Sequence, residues 1–328
     1  MTLDRRNFLY LVGAAANLGL PRVAGAQTYP SRPIKLVIPY PPGGVQDAVG
    51  RPWGESVKAR LGTVVIENIG GAGGALGGST VKRAQPDGYT LLLGNGSVLV
   101  INTVASSRPP YHPTDDFEPI SLLGFNSLAI AVNSDLPTRT LGEFVALVKA
   151  NPSKMSYGSN GVGSLNHLTG ELFKSLIHAE GMVHVPYRGA AAATTDVIGG
   201  QIPMAVAAVN GQLLELHRTG KLRILAITSP RRLAAAPDIP TAIEAGLPGL
   251  LCQGFSGLFA PKGTPRSVID RISQETGAAM ADVTLQKTYL GIGVEPSLET
   301  GPAAMKTFLD EDIARWTPVI KSIGLKLD

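Results

Sequence analysis

The feature that most constrains the fold is the alternation of short apolar runs with longer amphipathic segments along most of the 328 residues. The short runs predict strands, and the stretches between them carry apolar residues at helical spacing. Several runs are continuously apolar, which is typical of strands covered on both faces, as parallel strands are. The order β-α-β-α therefore predicts an α/β protein. The predicted strands are 34–38, 64–66, 91–93, 128–132, 155–157, 183–185, 204–206, 224–227 and 257–260.

Local helix signals support this order of elements. Thr140, followed three residues later by Glu143, forms a capping box and predicts a helix start, because each side chain satisfies a backbone N–H that the first turn leaves free. Leucines at helical spacing predict a second helix over 164–179. Thr264 and Pro265 predict the N-cap and the first residue of a third helix.

The helix predicted after the first strand contains unfavourable residues. Pro52 lies inside it, between Gly50 and Gly54. An interior proline lacks the N–H that the helix needs and costs about 3 kcal/mol, and glycine is also a poor helix former. We therefore expect this helix to start late or to kink.

Length and composition exclude several classes of protein. The chain is 44% apolar and 16% charged, with 39 Gly and 25 Pro, unlike disordered chains or coiled coils. Its length is sufficient for about two domains. The net charge is only +4 and basic residues are scattered, so we expect no nucleic-acid partner. A single cysteine, Cys252, excludes a disulfide framework and a cysteine-based zinc site.

Residues 1–26 have the pattern of an export signal. Arg5 and Arg6 precede an apolar stretch over 8–20, which is too short for a membrane span of about 20 residues. Ala-Gly-Ala at 24–26 fits a small-x-small cleavage site. The arginine pair resembles a twin-arginine signal, with a general secretory signal or a buried N-terminal helix as alternatives. We predict a periplasmic protein of a Gram-negative cell, cleaved after residue 26.

Sequence motifs for catalysis and for cofactors are absent. The glycine-rich run over 70–78 places Leu76 where a dinucleotide-binding turn requires glycine, so we interpret it as a flexible turn before a closely packed helix. The nearest match to a serine-nucleophile elbow, over 254–257, has its second glycine one residue early. The histidines lack metal-ligand spacing. We predict no catalytic residue, no cofactor and no metal ion.

Glycine-rich turns join predicted strands to predicted helices at two places. The first turn ends in Gly43 and Gly44 and the second spans 158–164; a third candidate, rich in small residues, spans 186–192. A helix N-terminus presents free backbone N–H groups and the positive end of the helix dipole, and glycine lets an anion approach closely. Each turn alone is equally compatible with an ordinary tight connection. Together they indicate an anion-binding cleft shared by two α/β halves.

A series of motifs along nearly the whole predicted mature chain resembles one family. It begins with Tyr-Pro-Ser-Arg-Pro-Ile at 29–34 and ends with Ile-Ala-Arg-Trp at 313–316. The series resembles the Bug-type periplasmic substrate receptors of tripartite tricarboxylate transporters. Its other motifs lie at 39–44 with Asp47, 67–68, 71–74, 86–92, 158–164, 167–168, 184–189, 196–201, 220–223, 240–241, 244–246 and 260–265.

The resemblance implies a type II periplasmic binding-protein fold, in which two α/β domains are joined by a two-strand hinge around a central cleft. The chain would leave the first domain near 124–132 and return near 253–260. The expected domains are therefore 27–126 together with 254–328, and 127–253. The resemblance also implies that a small carboxylate is held largely by backbone amides and water at the first two glycine-rich loops.

Candidate ligand-binding residues follow from the turns and the resemblance. Val45 and Gln46 stand where the family usually has glycine and a hydroxyl residue, and Gln46 could donate an amide N–H to a carboxylate. His167 is interpreted as a hydrogen-bonding brace rather than a base. Asp47 is either a contact or only an N-cap, and Asp196 either contacts an amino group or faces solvent. Donors are expected at Gly43, Gly44, Gln46, Asn160, Gly161, Gly163 and Ser164, walls at Tyr40 and Ala208, and further contacts at Val45, Asp47, Ser159, Val162, His167, Ala190, Ala191 and Asp196.

Three functions are consistent with these features. The first is a periplasmic receptor that encloses a small carboxylate or related polar metabolite and delivers it to membrane subunits of a tripartite transporter. The second is an exported enzyme that uses Ser164 and His167, or Asp47, although the third group of a triad is missing. The third is a ligand-sensing adaptor for a membrane signalling protein. We predict the receptor, acting as a monomer and not as an enzyme.

Overall fold

Strands alternate with helices as the apolar pattern predicts. The computed structural model describes residues 29–187 and 189–327, and the predicted export signal at 1–26 lies outside them. From Arg32 onward the chain forms one compact unit. The strands are β1 (Ile34–Ile38), β2 (Val64–Asn68), β3 (Thr90–Gly94), β4 (Phe117–Asn133), β5 (Ser156–Ser159), β6 (Val183–Pro186), β7 (Met204–Ala208), β8 (Leu222–Ile227), β9 (Gln253–Pro261) and β10 (Val294–Pro296).

The helices lie in the sequence between these strands and after them. Short 3-10 turns occur at Ala72–Gly74 and Pro152–Lys154, and a π-helical turn at Ser97–Ile101 continues into an α-helical turn at Asn102–Val104. The longer helices are α1 (Val45–Leu61), α2 (Ala75–Lys82), α3 (Leu141–Ala150), α4 (Leu165–Leu176), α5 (Ala190–Ile198), α6 (Gly211–Arg218), α7 (Arg266–Met280), α8 (Val283–Gly291) and α9 (Pro302–Ser322). Among the described residues, no helix combines the length and apolar character needed to cross a membrane.

The strands form a mixed sheet. Its hydrogen-bonded order is β2-β1-β3-β9-β4-β7-β5-β6, and β8 and β10 also pair with β4. Strand β1 is parallel to β2 and β3, and β5 is parallel to β6 and β7. The pairs that involve β4 or β9 are antiparallel. Each parallel group thus carries its own strand–turn–helix units, whose turns lie at the carboxyl ends of the strands.

Two long strands, β4 and β9, join the two parallel groups. Residues of β4 up to Ser127 pair with β9, whereas residues from Leu128 onward pair with β7 and β8. At the changeover Ser127 lies opposite Gln253, and the Gln253 Nε2 donates to the Ser127 Oγ at 3.2 Å. Both strands extend well beyond the predicted apolar runs, because glycines and polar residues interrupt the apolar pattern while the hydrogen-bonded pairing continues.

Helix α1 begins at Val45 and runs without interruption to Leu61, through Pro52. The expectation of a late start is therefore wrong, while the kink stays a prediction. Tertiary packing compensates for the proline: the Trp53 indole is fully buried, and its Nε1 donates to the Thr276 Oγ1 at 3.3 Å. Burying a large aromatic side chain is worth about 3 kcal/mol, similar to the cost of an interior proline.

The two glycines of α1 allow the helix to lie close to the sheet. A Cβ at Gly50 would be 2.8 Å from the Ile38 Cδ1, and a Cβ at Gly54 would be 3.3 Å from the Val64 Cβ. Larger residues would push the helix away from β1 and β2. The glycines that lower helix propensity therefore fix the position of α1, and with it the turn that precedes α1.

The other helix signals are largely correct. At α3 the Thr140 Oγ1 accepts from the Glu143 N–H, and the Glu143 carboxylate accepts from the Thr140 N–H, which completes the predicted capping box. Helix α4 ends at Leu176, earlier than predicted. Helix α7 has Pro265 as its N-cap, so Thr264, the predicted cap, lies one residue outside, where its hydroxyl donates to a backbone carbonyl.

Candidate functional site

A cavity of about 770 Å³ lies at the carboxyl ends of β1, β3 and β5. It brings together the first and second glycine-rich turns, which are more than 100 residues apart in the sequence. Strands β4 and β9 supply another part of its wall. The lining comprises residues 40–46, 95–97, 126, 160, 164–166, 189, 254 and 255.

Four helix N-termini border this cavity. Gly44, Ser164 and Gly189 are the N-cap residues of α1, α4 and α5, and Gly96 precedes the helical segment that begins at Ser97. Each helix N-terminus carries the equivalent of roughly half a positive charge. No charged side chain occurs in the described lining, and the described residues contain no cluster of His, Cys, Asp or Glu suited to a metal ion. The cavity is therefore suited to an anion held by backbone dipoles.

The first turn leaves backbone donors of α1 free. Gly44 is in the extended conformation (φ −81°, ψ 174°) and forms no side-chain cap, so no cap oxygen occupies the first N–H groups of the helix. Gly43 adopts a left-handed φ of +89°, which favours glycine at this position. Val45 is 42% exposed and lines the cavity. The turn can present its backbone to a ligand, as the glycines predict.

Asp47 positions this turn and does not line the cavity. Its carboxylate accepts from the Gly43 N–H at 3.1 Å, the Arg51 Nε at 2.8 Å and the Asn68 Nδ2 at 3.0 Å. The hydrogen bond from Arg51 is the main cause that lowers the pKa of Asp47 to about 2. The sequence interpretation of Asp47 as a contact or N-cap is corrected, because Gly44 is the N-cap and the carboxylate is already occupied.

Gln46 lines the cavity but does not offer its amide N–H to it. The side chain is 6% exposed, and its Nε2 donates to the Ser256 Oγ at 3.0 Å. The expected donation from Gln46 to a carboxylate is therefore replaced by a contact that ties α1 to β9.

The second turn is shaped by two glycines and an N-cap serine. Gly161 and Gly163 have φ values of +122° and +77°, which disfavour side chains. The Ser164 Oγ accepts from the His167 N–H at 3.2 Å and donates to the Gly161 O at 2.7 Å. Asn160 and Ser164 line the cavity, whereas Gly161 lies outside the lining.

His167 braces the second turn, as the sequence predicts. Its Nδ1 accepts from the Gly163 N–H at 3.3 Å, which places the proton of the neutral ring on Nε2. The ring stacks on that of His184 with 4.1 Å between centroids. Burial lowers the pKa of both rings, and burial together with the neighbouring His167 lowers the pKa of His184 to about 4. Both rings are therefore neutral at pH 7.

Two other predicted contacts, Ser159 and Asp196, lie outside the lining and are engaged by protein groups. The Ser159 Oγ is 2.7 Å from the His184 Nε2, and Ser159 is fully buried. The Asp196 carboxylate accepts from the Tyr187 hydroxyl at 2.6 Å. Burial raises the pKa of Tyr187 to about 12. Both side chains therefore bond to protein groups near the second and third turns and do not line the cavity.

The third turn contributes its glycine to the cavity. Gly189 is part of the lining, whereas the exposed Ala191 on α5 is not. The side chain of Ala190 lies outside the described residues. Ala208, predicted as a wall, pairs with Leu128 at the end of β7 and is not part of the lining. Neither Ala191 nor Ala208 lines this cavity, and their contact with a ligand stays a prediction.

Sequence reasoning missed the turn after β3. Asn95 and Ser97 line the cavity beside the predicted Tyr40, whose hydroxyl donates to the Asn95 Oδ1 at 3.1 Å. The same oxygen accepts from the Val98 N–H at 3.0 Å. A local signal for this turn exists in the sequence, because Gly-Asn-Gly-Ser at 94–97 directly follows a predicted strand. No local signal exists for three other lining residues, Asn126, Asn166 and Phe255. The pairing of β4 with β9 and the packing of α4 bring them to the cavity.

A neighbouring cavity of about 790 Å³ adjoins the first. The two share Tyr40, Ser97, Asn160 and Ser164. Its other lining includes Val162 and Gly163 of the second turn, Leu327, and residues of the glycine-rich run before α2. That run contains a 3-10 turn and begins the closely packed helix α2, as predicted.

The chain is similar to known proteins over most of its length. The profile of the family described as "Tripartite tricarboxylate transporter family receptor" matches residues 49–325. The chain belongs to this family. Protein BugT of Bordetella pertussis (strain Tohama I) is 32% identical over 314 residues, which cover 95% of each chain.

Several solved structures share the fold. Periplasmic binding protein BugD is 33% identical, with a TM-score of 0.75, over 91% of this chain and 99% of that one. MatC (Rpa3494) of Rhodopseudomonas palustris, solved with bound malate, is 28% identical with a TM-score of 0.75, over 89% and 100%. R. palustris Rpa4515, solved with adipate, is 28% identical with a TM-score of 0.78, over 91% and 99%. The expected α/β periplasmic binding-protein fold is confirmed.

Proposed function

We propose that this receptor binds a small carboxylate in the 770 Å³ cavity and delivers it to the membrane subunits of a tripartite transporter. The observation that carries the proposal is the convergence of four helix N-termini on a cavity whose described lining has no charged side chain. A carboxylate there accepts hydrogen bonds from backbone N–H groups in a favourable dipole field. Two related receptors are solved with malate and with adipate, which supports a small carboxylate.

Closure of two domains would enclose this ligand. We propose that 27–126 with 254–328 form one domain and 127–253 the other. The change of partners within β4 at Ser127 supports this division, because β4 and β9 are then the strands that cross between the domains. A ligand that touches turns from both domains favours the closed state by its differential affinity.

Capture without chemical conversion is the proposed activity. Ser164 accepts a hydrogen bond from the backbone N–H of His167, while the His167 Nδ1 accepts from Gly163. Neither contact activates a serine hydroxyl, which would require the imidazole as its base. Ser159 and His184 do form a close pair, but Ser159 is fully buried. We further propose that residues 1–26 direct export by the twin-arginine route to the periplasm and are cleaved after Ala26.

Ligand binding by the purified protein tests this function. Thermal shift followed by isothermal titration calorimetry is run with mono-, di- and tricarboxylates and aromatic acids. Each acid is run beside its full methyl ester as a matched uncharged control, and the amides of these acids are also tested. A carboxylate that binds should raise the Tm in a concentration-dependent way, while its ester should not. Absence of a shift across the panel, or equal shifts for acids and esters, would contradict the proposal.

A further inference from the structure

The segment that follows α9 leaves the helix through a specific cap. Gly324 comes directly after the C-cap residue and has a left-handed φ of +63°. Its N–H donates to the Lys321 O at 3.2 Å, and the Leu325 N–H donates to the Ile320 O, also at 3.2 Å. These two hydrogen bonds form a Schellman motif. The cap therefore fixes the direction in which the chain leaves α9.

Two contacts hold this segment, residues 324–327, in place after the cap. Leu325 packs against the main apolar core. The Leu327 N–H donates to the Ala105 O at 3.1 Å. Both Leu327 and Ala105 belong to the domain that we propose for 27–126 with 254–328. The backbone of the segment is thus attached to this domain.

The Leu327 side chain reaches the second glycine-rich turn, which belongs to the other proposed domain. A Cβ at Gly163 would be 3.0 Å from the Leu327 Cδ2, so the leucine lies against the backbone of Gly163. Both residues line the 790 Å³ cavity. Leu327 therefore connects the two proposed domains on the side of the cavities, where β4 and β9 do not.

Exposed apolar side chains surround this contact. In the described part of the chain ten large apolar side chains are exposed, and three of them, Leu76, Val162 and Leu327, line the 790 Å³ cavity. Leu76 and Leu327 come from one proposed domain and Val162 from the other. A movement that brings the domains together removes such surface from water, which is favourable. Separation of the domains would expose the Leu327 side chain further.

We propose that Leu327 stabilises the closed cleft through its contact with the second turn, and thereby slows release of the bound carboxylate. This inference rests on the function proposed above, since it requires a ligand that two domains enclose. Leu327 does not line the 770 Å³ cavity in which the carboxylate binds. Its effect is therefore on closure of the domains and not on contact with the carboxylate.

The rate of ligand release from the full-length protein tests this role. Surface plasmon resonance gives koff and isothermal titration calorimetry gives the Kd, with malate and adipate as probes. Leu327→Ser removes the apolar contact but keeps the backbone hydrogen bond to Ala105. We expect koff and the Kd to rise by about three- to tenfold, less than for loss of a fully buried leucine, because the side chain is 39% exposed.

Two control variants separate the contact from general effects of the substitution. Leu298→Ser makes the same change at a leucine that is 74% exposed and lines neither cavity, and it should leave koff unchanged. Leu327→Met keeps an apolar side chain of similar volume, and its koff should stay within about twofold of wild type.

The two probes distinguish closure from direct contact with the ligand, because adipate is longer than malate. A residue that stabilises closure changes the release of both acids by the same factor. A residue that touches the far end of the ligand changes the release of the longer acid more. Where malate or adipate does not bind, the two tightest acids of different length in the panel replace them.

The outcomes keep this inference apart from the proposed function. An unchanged koff in Leu327→Ser, or an equal rise in Leu298→Ser, would overturn the inference while the carboxylate receptor stands. A rise confined to the longer acid would also overturn it, because Leu327 would then be a ligand contact. If no carboxylate of the panel binds to the wild-type protein, both proposals are wrong.

Discussion

A carboxylate introduced at Gly44 should stabilise the protein and weaken ligand binding at the same time. Gly44 is the N-cap of α1 in an extended conformation that any residue can adopt (φ −81°, ψ 174°). A Cβ there would have only the Pro41 O at 4.0 Å as a neighbour. The substitution Gly44→Asp therefore fits without strain, and its side chain can accept from the free N–H groups of the first turn.

The two effects have opposite signs and can be estimated. Aspartate in place of glycine at an N-cap gains a few tenths of a kcal/mol from capping and about 0.3–1 kcal/mol from the helix dipole. A ligand carboxylate about 4 Å away is repelled by about 1 kcal/mol in a water-like environment. It also loses a charge-assisted hydrogen bond worth about 1.5–3 kcal/mol. Together these losses, about 2.5–4 kcal/mol, predict that the Kd rises by at least about sixtyfold.

The assay pairs calorimetric titration of the tightest carboxylate ligand with urea unfolding. Gly44→Asn is the matched control, because asparagine has the same shape and also caps the helix but carries no charge. Because it occupies the same N–H groups, we expect it to bind at least about tenfold more weakly than wild type. Because it lacks the charge repulsion, it should bind about fivefold more tightly than Gly44→Asp. Wild-type affinity in Gly44→Asp, or equal losses in both variants, would refute electrostatic competition at this helix N-terminus.

Two further predictions concern the framework of the second turn. A Cβ at Gly170 in α4 would lie 2.0 Å from the Tyr157 ring, whereas a Cβ at Gly142 in α3 would meet nothing within 4 Å. Urea unfolding should show that Gly170→Ala lowers the free energy of unfolding by about 1–3 kcal/mol. Gly142→Ala should raise it by up to about 1 kcal/mol. Equal changes in the two variants would contradict the packing of α4 against Tyr157. The pKa of His184 is lowered to about 4 in the folded protein. Between pH 6.5 and pH 4, His184 is therefore protonated in the unfolded chain but not in the folded one. Stability should fall as the pH falls through this range. The fall in Tm from pH 7 to pH 4.5 should be smaller in His184→Gln, and an unchanged fall would exclude this role.

Local sequence signals predicted the elements and two of the turns at the site. The apolar runs located the strands, and the capping box at Thr140 located the start of α3. Gly43 and Gly44 predicted the first turn of the site from local sequence alone, because only small residues leave a helix N-terminus open to a ligand. The resemblance to the receptor family supplied the overall fold.

Properties that depend on distant parts of the chain were not predictable. Continuity of α1 through Pro52 depends on packing of Trp53 against Thr276 of α7. Asp47 is withdrawn from the cavity by contacts that include Asn68 of β2. Asn126 reaches the cavity because β4 crosses between the two parallel groups. Such contacts join residues with no shared local pattern.

The most direct test of the central claim is a crystal structure of the protein with the tightest carboxylate from the ligand panel. We expect a carboxylate oxygen within about 3.2 Å of a backbone nitrogen at Val45 or Gln46, with the remainder of the ligand toward Asn160 and Ser164. A ligand held by a charged side chain, or bound outside this cavity, would contradict the account.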